Sequence, residues 1–210
     1  MPCLSFQIFS YMMKNLITLV LLTALPFVVG FYWQTPGSAD RSFDDSLPFN
    51  PEHLDGAFTG GFGEQTCHSC HFDNDLNMEG GSLTLQGVEE KYRAGKEYVI
   101  TVTVESEHLE IGGFQMTARF EDGSQAGSFE WEGDRLMFTP AVSNDIKYLQ
   151  HSADGTDPTG EREVRWTFTW LAPEDEREVI FNIAANAGNN DDSAFGDWIY
   201  VKEIVIKPGE

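Results

Sequence analysis

The sequence is poor in cysteine and in positive charge. Three cysteines occur in 210 residues, and Cys3 lies ahead of a long apolar run. A scaffold held by several disulfides is therefore excluded. Lysine and arginine number 13 against 34 aspartates and glutamates, a formal net charge of −21. Residues 1–39 hold Lys14 and no acid, so residues 40–210 carry all 34 acids against 12 bases, or −22. Such a surface repels phosphate, which excludes nucleic acid as a partner and leaves basic proteins as the partners that charge would steer inward. No long amphipathic helical pattern appears, which argues against a helical bundle. No Ser–His–acid set and no P-loop stands out, so the chain reads as a carrier or binding module rather than an enzyme.

The two cysteines that remain are close together. Residues 65–71 read Gln-Thr-Cys-His-Ser-Cys-His, which contains C-x-x-C-H, the attachment pattern of c-type haem. Thiols three positions apart reach two vinyl groups on one porphyrin edge, and the following histidine brings its imidazole to the iron. Cys67 and Cys70 are thus expected to hold one covalent haem c, with His71 as proximal ligand. Rival readings are a Cys67–Cys70 disulfide, a zinc site using both cysteines and two histidines, and a thioredoxin-like redox pair. The flanking sequence has Gly56, Gly60, Gly61 and Gly63 within eight residues, which forbids a stable helix and lets the backbone pass close to a flat group. Phe58, Phe62 and Phe72 are candidates to cover its apolar faces, or else to join the core.

Residues 16–33 are almost wholly apolar and follow Lys14, the pattern of a signal peptide. Met13 is an alternative start to Met1. The run is also nearly long enough to span a bilayer, so an uncleaved amino-terminal anchor stays open. Either version places the rest of the chain outside the cytoplasm, in the periplasm or at the cell surface, with any membrane contact made through this segment. Expected boundaries are a signal or anchor at 1–39, a linker at 40–55, and one domain at 56–210 whose haem-attachment loop is 56–80.

After Gly81 the chain alternates apolar and polar residues in short runs, the period of half-buried strands. The clearest are 97–105, with Tyr98, Ile100, Val102 and Val104 on one face, and 163–170, with Val164, Trp166, Phe168 and Trp170. Others are expected at 82–86, 113–120, 127–131, 135–138, 178–184 and 197–207. The last changes parity at Lys202-Glu203, which predicts a bulge. The pattern specifies an all-β, immunoglobulin-like antiparallel β-sandwich with an amino-terminal glycine-rich attachment segment.

Several pieces together resemble the Reeler (reelin amino-terminal) domain family, in the exported bacterial form described as a choice-of-anchor domain. They are AFTGGFGEQTCHSCH (57–71), the Y-x-x-G-x-x-Y run from Tyr92 to Tyr98, GGFQMTA (112–118), KYLQHSADG (147–155), WTFTWLAP (166–173) and AANAGNNDD with FGDWIY (184–200). The resemblance implies a sandwich carrying an amino-terminal C-x-x-C-H segment, with a histidine near position 151. Bacterial relatives often carry a carboxy-terminal anchoring tail; the expected anchor here is amino-terminal. A fold family does not by itself assign an activity.

Haem iron takes a second axial ligand or keeps that position open. His151, in what reads as a loop, is the leading candidate, and Met116 is the alternative, although its alternation with Phe114 and Ala118 also suits core packing. Met78 and Met137 are weaker, His68 lies within the attachment loop, and His53 and His108 read as exposed. Asn189, Asn190, Asp191, Asp192 and Asp197 form an oxygen-rich stretch compatible with calcium, without EF-hand spacing. The expected function is extracytoplasmic electron transfer by a monohaem c-type cytochrome domain, with a redox partner protein. The alternatives are a non-redox Reeler-type binding or adhesion module with a Cys67–Cys70 disulfide, and a haem-based sensor or peroxidase-like protein with an open distal site.

Overall fold

The computed structural model describes residues 56–140 and 145–209. The expected targeting segment, the linker and His53 fall outside the described residues. Ten strands run in chain order: β1 (Gly81–Gln86), β2 (Lys91–Tyr92), β3 (Glu97–Ser106), β4 (Ile111–Phe120), β5 (Ser128–Glu130), β6 (Leu136–Phe138), β7 (Leu149–His151), β8 (Glu163–Leu171), β9 (Val179–Gly188) and β10 (Trp198–Pro208). They form a four-stranded sheet in the order β1-β3-β8-β5 and a six-stranded sheet in the order β2-β10-β9-β4-β7-β6. All pairings are antiparallel except the short β2–β10 edge. The fold is the expected all-β sandwich.

The inward faces are those that the alternation predicts. Tyr98, Ile100, Val102 and Val104 of β3 and Val164, Trp166, Phe168 and Trp170 of β8 meet Phe114, Met116, Ala118 and Phe120 of β4 and Val179, Phe181, Ile183 and Ala185 of β9. Trp170 anchors one end of this core, edge-on to Tyr92 and Phe181 at 5.7 and 5.0 Å and tilted against Tyr98 at 5.8 Å. Its Nε1–H donates to the Ala126 carbonyl, so the indole is buried without an orphaned donor.

Three expectations are corrected. The predicted bulge at Lys202-Glu203 does not form: β10 pairs with β9 in one unbroken register from Trp198↔Ala187 to Ile206↔Val179. The parity change has another cause. Ile199 lies on the outer face of the six-stranded sheet and is buried there, while Tyr200 and Ile206 face the sandwich interior. The stretch 147–155 is not all loop, because Leu149–His151 is a strand between β4 and β6. Met116 is fully buried inside the sandwich and is removed from any ligand role.

The outer face of the six-stranded sheet is unusual for a sandwich because it is buried and polar. Gln115, Thr117 and Arg119 of β4, Gln150 of β7 and Asn182 of β9 are each at most 4 % exposed. The chain between Gly56 and Asn77 covers them. Gln115 accepts from the Phe58 N–H at 2.6 Å and donates to the Gly56 carbonyl at 2.9 Å, so one side chain acts as a partner strand. Residues 59–66 fold back on themselves through the Thr59↔Thr66 bridge. Their apex supplies Glu64, whose Oε1 accepts from Arg119 and from the Tyr148 hydroxyl, each at 2.6 Å. Thr59 donates to the other Glu64 oxygen at 2.5 Å. Phe62 lies over the Arg119 guanidinium, 4.1 Å from ring centroid to Cζ. Gly61 has to be glycine, since a Cβ there would sit 2.1 Å from Asn182 Oδ1.

This network makes a stability prediction. Glu64→Ala leaves the buried Arg119 charge unpaired and is expected to cost about 3 kcal/mol or more. Arg165→Ala, which removes an exposed pair with Glu163, is expected to cost under about 0.5 kcal/mol. Urea unfolding of both variants checks the contrast; equal losses would mean that Glu64 does not anchor the segment.

Candidate functional site

The C-x-x-C-H motif sits on a single turn. Cys67–Ser69 is a 3-10 turn capped by Thr66, whose Oγ1 accepts from the His68 N–H at 3.2 Å. The Cys70 and His71 N–H groups both donate to the Cys67 carbonyl, at 3.2 and 3.0 Å. This closes the turn so that both thiols and the imidazole emerge from four consecutive peptide units. The turn is fastened downstream as well. His68 Nε2 lies 2.9 Å from the Asn74 carbonyl, the Asn77 N–H donates to Ile199, and the Val201 N–H donates to Asn77 Oδ1.

Cys67 and Cys70 are unbonded thiols. Burial pushes the Cys67 thiol up to about 12; a hydrogen bond from its own backbone N–H opposes this and Cys70 adds to it. Among the described residues no three His, Cys, Asp or Glu side chains are grouped to hold a metal ion by themselves.

Both cysteines and His71 line a cleft of about 190 Å³, together with Phe58, Ile111, Gly112, Gly113, Phe114 and, from the far strand, His151. The two histidines that the sequence singled out, 80 positions apart, thus share one cleft with both thiols. The surface of the wall is mostly carbon, although Gln115, Gln150, Thr156 and Asn186 also line it. Phe58 takes the wall position expected of it. Phe62 instead stacks on Arg119, and Phe72 is exposed, edge-on to Phe195 at 5.9 Å. Of the other candidates, Met78 is exposed and His108 stacks on Trp198 at 4.4 Å.

His151 ends β7 at the point where β7 leaves β4. The two strands pair only at Gln115↔Gln150 and Met116↔Leu149. Beyond that, the His151 ring takes the place of ladder bonds: its Nδ1 lies 3.0 Å from both the N–H and the carbonyl oxygen of Phe114. Gly113 makes room for it, since a Cβ there would lie 2.8 Å from His151 Cε1. With the proton on Nδ1 the ring donates to the Phe114 carbonyl and carries its lone pair on Nε2; the opposite tautomer accepts from the Phe114 N–H.

The residue that sequence reasoning missed is Asp197. It was read as part of a calcium-like stretch. Its Oδ2 instead lies 2.6 Å from His71 Nδ1, and its side chain is nearly fully buried. Asn186 donates to the same oxygen at 3.1 Å, and the Asn189 N–H donates to Oδ1 at 3.1 Å. Burial works against its charge, but the bonds from His71, Asn186 and Asn189 outweigh it and hold the carboxyl below its ordinary value. Asp191, in the same stretch, accepts from the Ser193 N–H and from Asn189 Nδ2.

The residues present fit a c-type haem. Two thiols stand three positions apart at the mouth of an apolar cleft, with Cys70 exposed and Cys67 partly buried, where a macrocycle edge would be attached. Two imidazoles line the same cleft, and one already has its second nitrogen bonded to a carboxylate, as metal-ligating histidines commonly do.

No protein-family model and no curated protein matches this chain. Among solved structures it is similar to the Reelin-N domain of F-spondin at 18 % identity, covering 68 % of this chain and 97 % of that chain with a TM-score of 0.45. It is similar to the human F-spondin reeler domain at 18 % identity, covering 64 % and 96 % with a TM-score of 0.44. A cohesin module from a Clostridium perfringens family 33 glycoside hydrolase matches at 13 % identity over 63 % and 100 %, with a TM-score of 0.41. The sandwich stands on the two sheets of this chain, and likenesses at this level add nothing about its site.

Proposed function

We propose that this domain is an exported monohaem c-type cytochrome on a Reeler-like sandwich, which passes electrons to a partner protein outside the cytoplasm. The observation that carries the reading is the convergence of Cys67, Cys70, His71 and His151 on one apolar cleft. When bound, haem supplies a one-electron iron couple. The chain's own residues do the rest. Cys67 and Cys70 would hold the group by two thioethers, so that it could not dissociate, and His71 and His151 would offer it imidazole nitrogen. Phe58 and Ile111 of the cleft wall would shield the bound group from water, which limits reorganisation on electron transfer.

A second reading has one specific observation behind it. Cys67 and Cys70 are both free thiols and stand at the start and the end of one 3-10 turn. An oxidising compartment could close them into a disulfide, leaving a non-redox binding module. Covalent haem decides between the two. Protein made with haem-attachment machinery is expected to be red and to stain for haem peroxidase after denaturing electrophoresis. Cys67→Ser combined with Cys70→Ser is expected to abolish the stain. A wild-type band that never stains supports the disulfide module instead.

The second ligand is tested separately. His151→Ala is expected to keep the haem attached and to convert a six-coordinate low-spin spectrum into a high-spin one. Met116→Leu, deep in the sandwich, is expected to leave the spectrum unchanged. A wild-type protein that is already high-spin and binds carbon monoxide rapidly favours the sensor or peroxidase-like alternative.

A further inference from the structure

We propose that Asp197 is the positioning residue for His71: its carboxylate fixes the imidazole proton on Nδ1, presents Nε2 as a strongly electron-donating ligand, and so biases the iron toward its ferric state. The inference rests on the haem reading above and extends it to the kind of donor the protein can accept electrons from.

The tautomer follows from hydrogen-bond chemistry. An ionised carboxylate only accepts hydrogen bonds, so the 2.6 Å contact requires the proton on Nδ1. Asn186 Nδ2 also lies 3.3 Å from His71 Nδ1. Both atoms are then donors, and the amide's bond goes to the carboxylate at 3.1 Å. The lone pair is left on Nε2, the atom a metal would take.

The carboxylate is held in place from several directions. Asn186 and the Asn189 N–H bond its two oxygens, while Asn74 Nδ2 donates to the Asp197 carbonyl at 3.0 Å. Asn74 belongs to the segment just after His71, so the acid and the imidazole are tied together by two routes across 126 residues of chain. Asn186 Oδ1 is a buried oxygen with no hydrogen-bond partner, and Asn186 lines the cleft.

A buried carboxylate bonded to a ligand imidazole raises the ligand's basicity, and second-shell partners of this kind typically change metal affinity by about 10- to 100-fold. Electron donation from the ring stabilises ferric over ferrous iron. The protein would then sit at the reducing end of its class. It could be charged only by a one-electron donor of still lower potential, and it would deliver that electron to a more oxidising acceptor.

The experiment compares Asp197→Asn with Asp197→Glu in the haem-loaded full chain by redox titration. Asp197→Asn is expected to keep its haem and to shift the ferrous-to-ferric ratio at a fixed applied potential measurably toward ferrous. Asp197→Glu, which keeps the charge, is expected to stay close to wild type. A purely structural role would lower thermal stability in both without moving the potential, so an unmoved potential in Asp197→Asn overturns the redox part. Should Asp197→Asn fail to fold, Asn186→Ala removes one bond to the carboxylate and is expected to shift the ratio the same way by less; no shift there overturns the proposal. Haem-free protein, made without the attachment machinery, gives an independent reading. Nitrogen NMR is expected to find His71 protonated on Nδ1 in the wild type at alkaline pH and on Nε2 in Asp197→Asn. An Nε2-protonated wild type overturns the positioning role even if haem attaches, whereas the expected tautomer in a chain that never takes up haem counts against the haem reading alone.

Discussion

The structure turns on a sheet face that is buried although it is polar. Gln115, Thr117, Arg119 and Asn182 point out of the sandwich, and none of them reaches water. Each would cost free energy there without a partner. The glycine-rich segment supplies partners for two of them, backbone groups for Gln115 and Glu64 for Arg119, while Thr117 donates to the Lys147 carbonyl and Asn182 to Glu203. The segment has no regular structure beyond a short turn, so its conformation is dictated by what it must satisfy. Arg119 keeps two nitrogens without hydrogen-bond partners, and stacking under Phe62 covers part of that deficit.

The same constraint places the chemistry. Once 56–66 is fastened along β4, the next residues have to run over the ends of β4, β7 and β9. That is where the C-x-x-C-H turn lands, facing His151 across a cleft floored by Gly112 and Gly113. The second glycine has a steric reason, because the His151 ring occupies the space of its missing side chain. Loops on a rigid scaffold carry function because their positions are set by the scaffold; here the scaffold also grips the loop through buried charge.

Much of this was legible in the sequence. The alternation at 97–105 and 163–170 named the inward faces correctly because those strands are long and bury one face only. The C-x-x-C-H motif was visible because its spacing is local. Short strands were harder. Lys91–Tyr92 and Leu149–His151 are two and three residues long, below the length at which period-2 alternation can be recognised. Ile199 misled the reading of β10 because alternation assumes one wet face, and this sheet has none at that point.

Composition and local spacing alone determined that the chain is acidic, all-β, and furnished with two thiols and an imidazole in C-x-x-C-H spacing. Local spacing is sufficient there, since all three groups lie within five residues. Only the tertiary structure decided that Met116 belongs to the core, that His151 shares the cleft, and that Asp197 is bonded to His71. Those depend on strand register and on contacts across tens of residues to more than a hundred, which no window of sequence contains. An aspartate in an acidic loop and an aspartate under an imidazole read identically until the chain is folded, because the difference between them is burial and a single hydrogen bond.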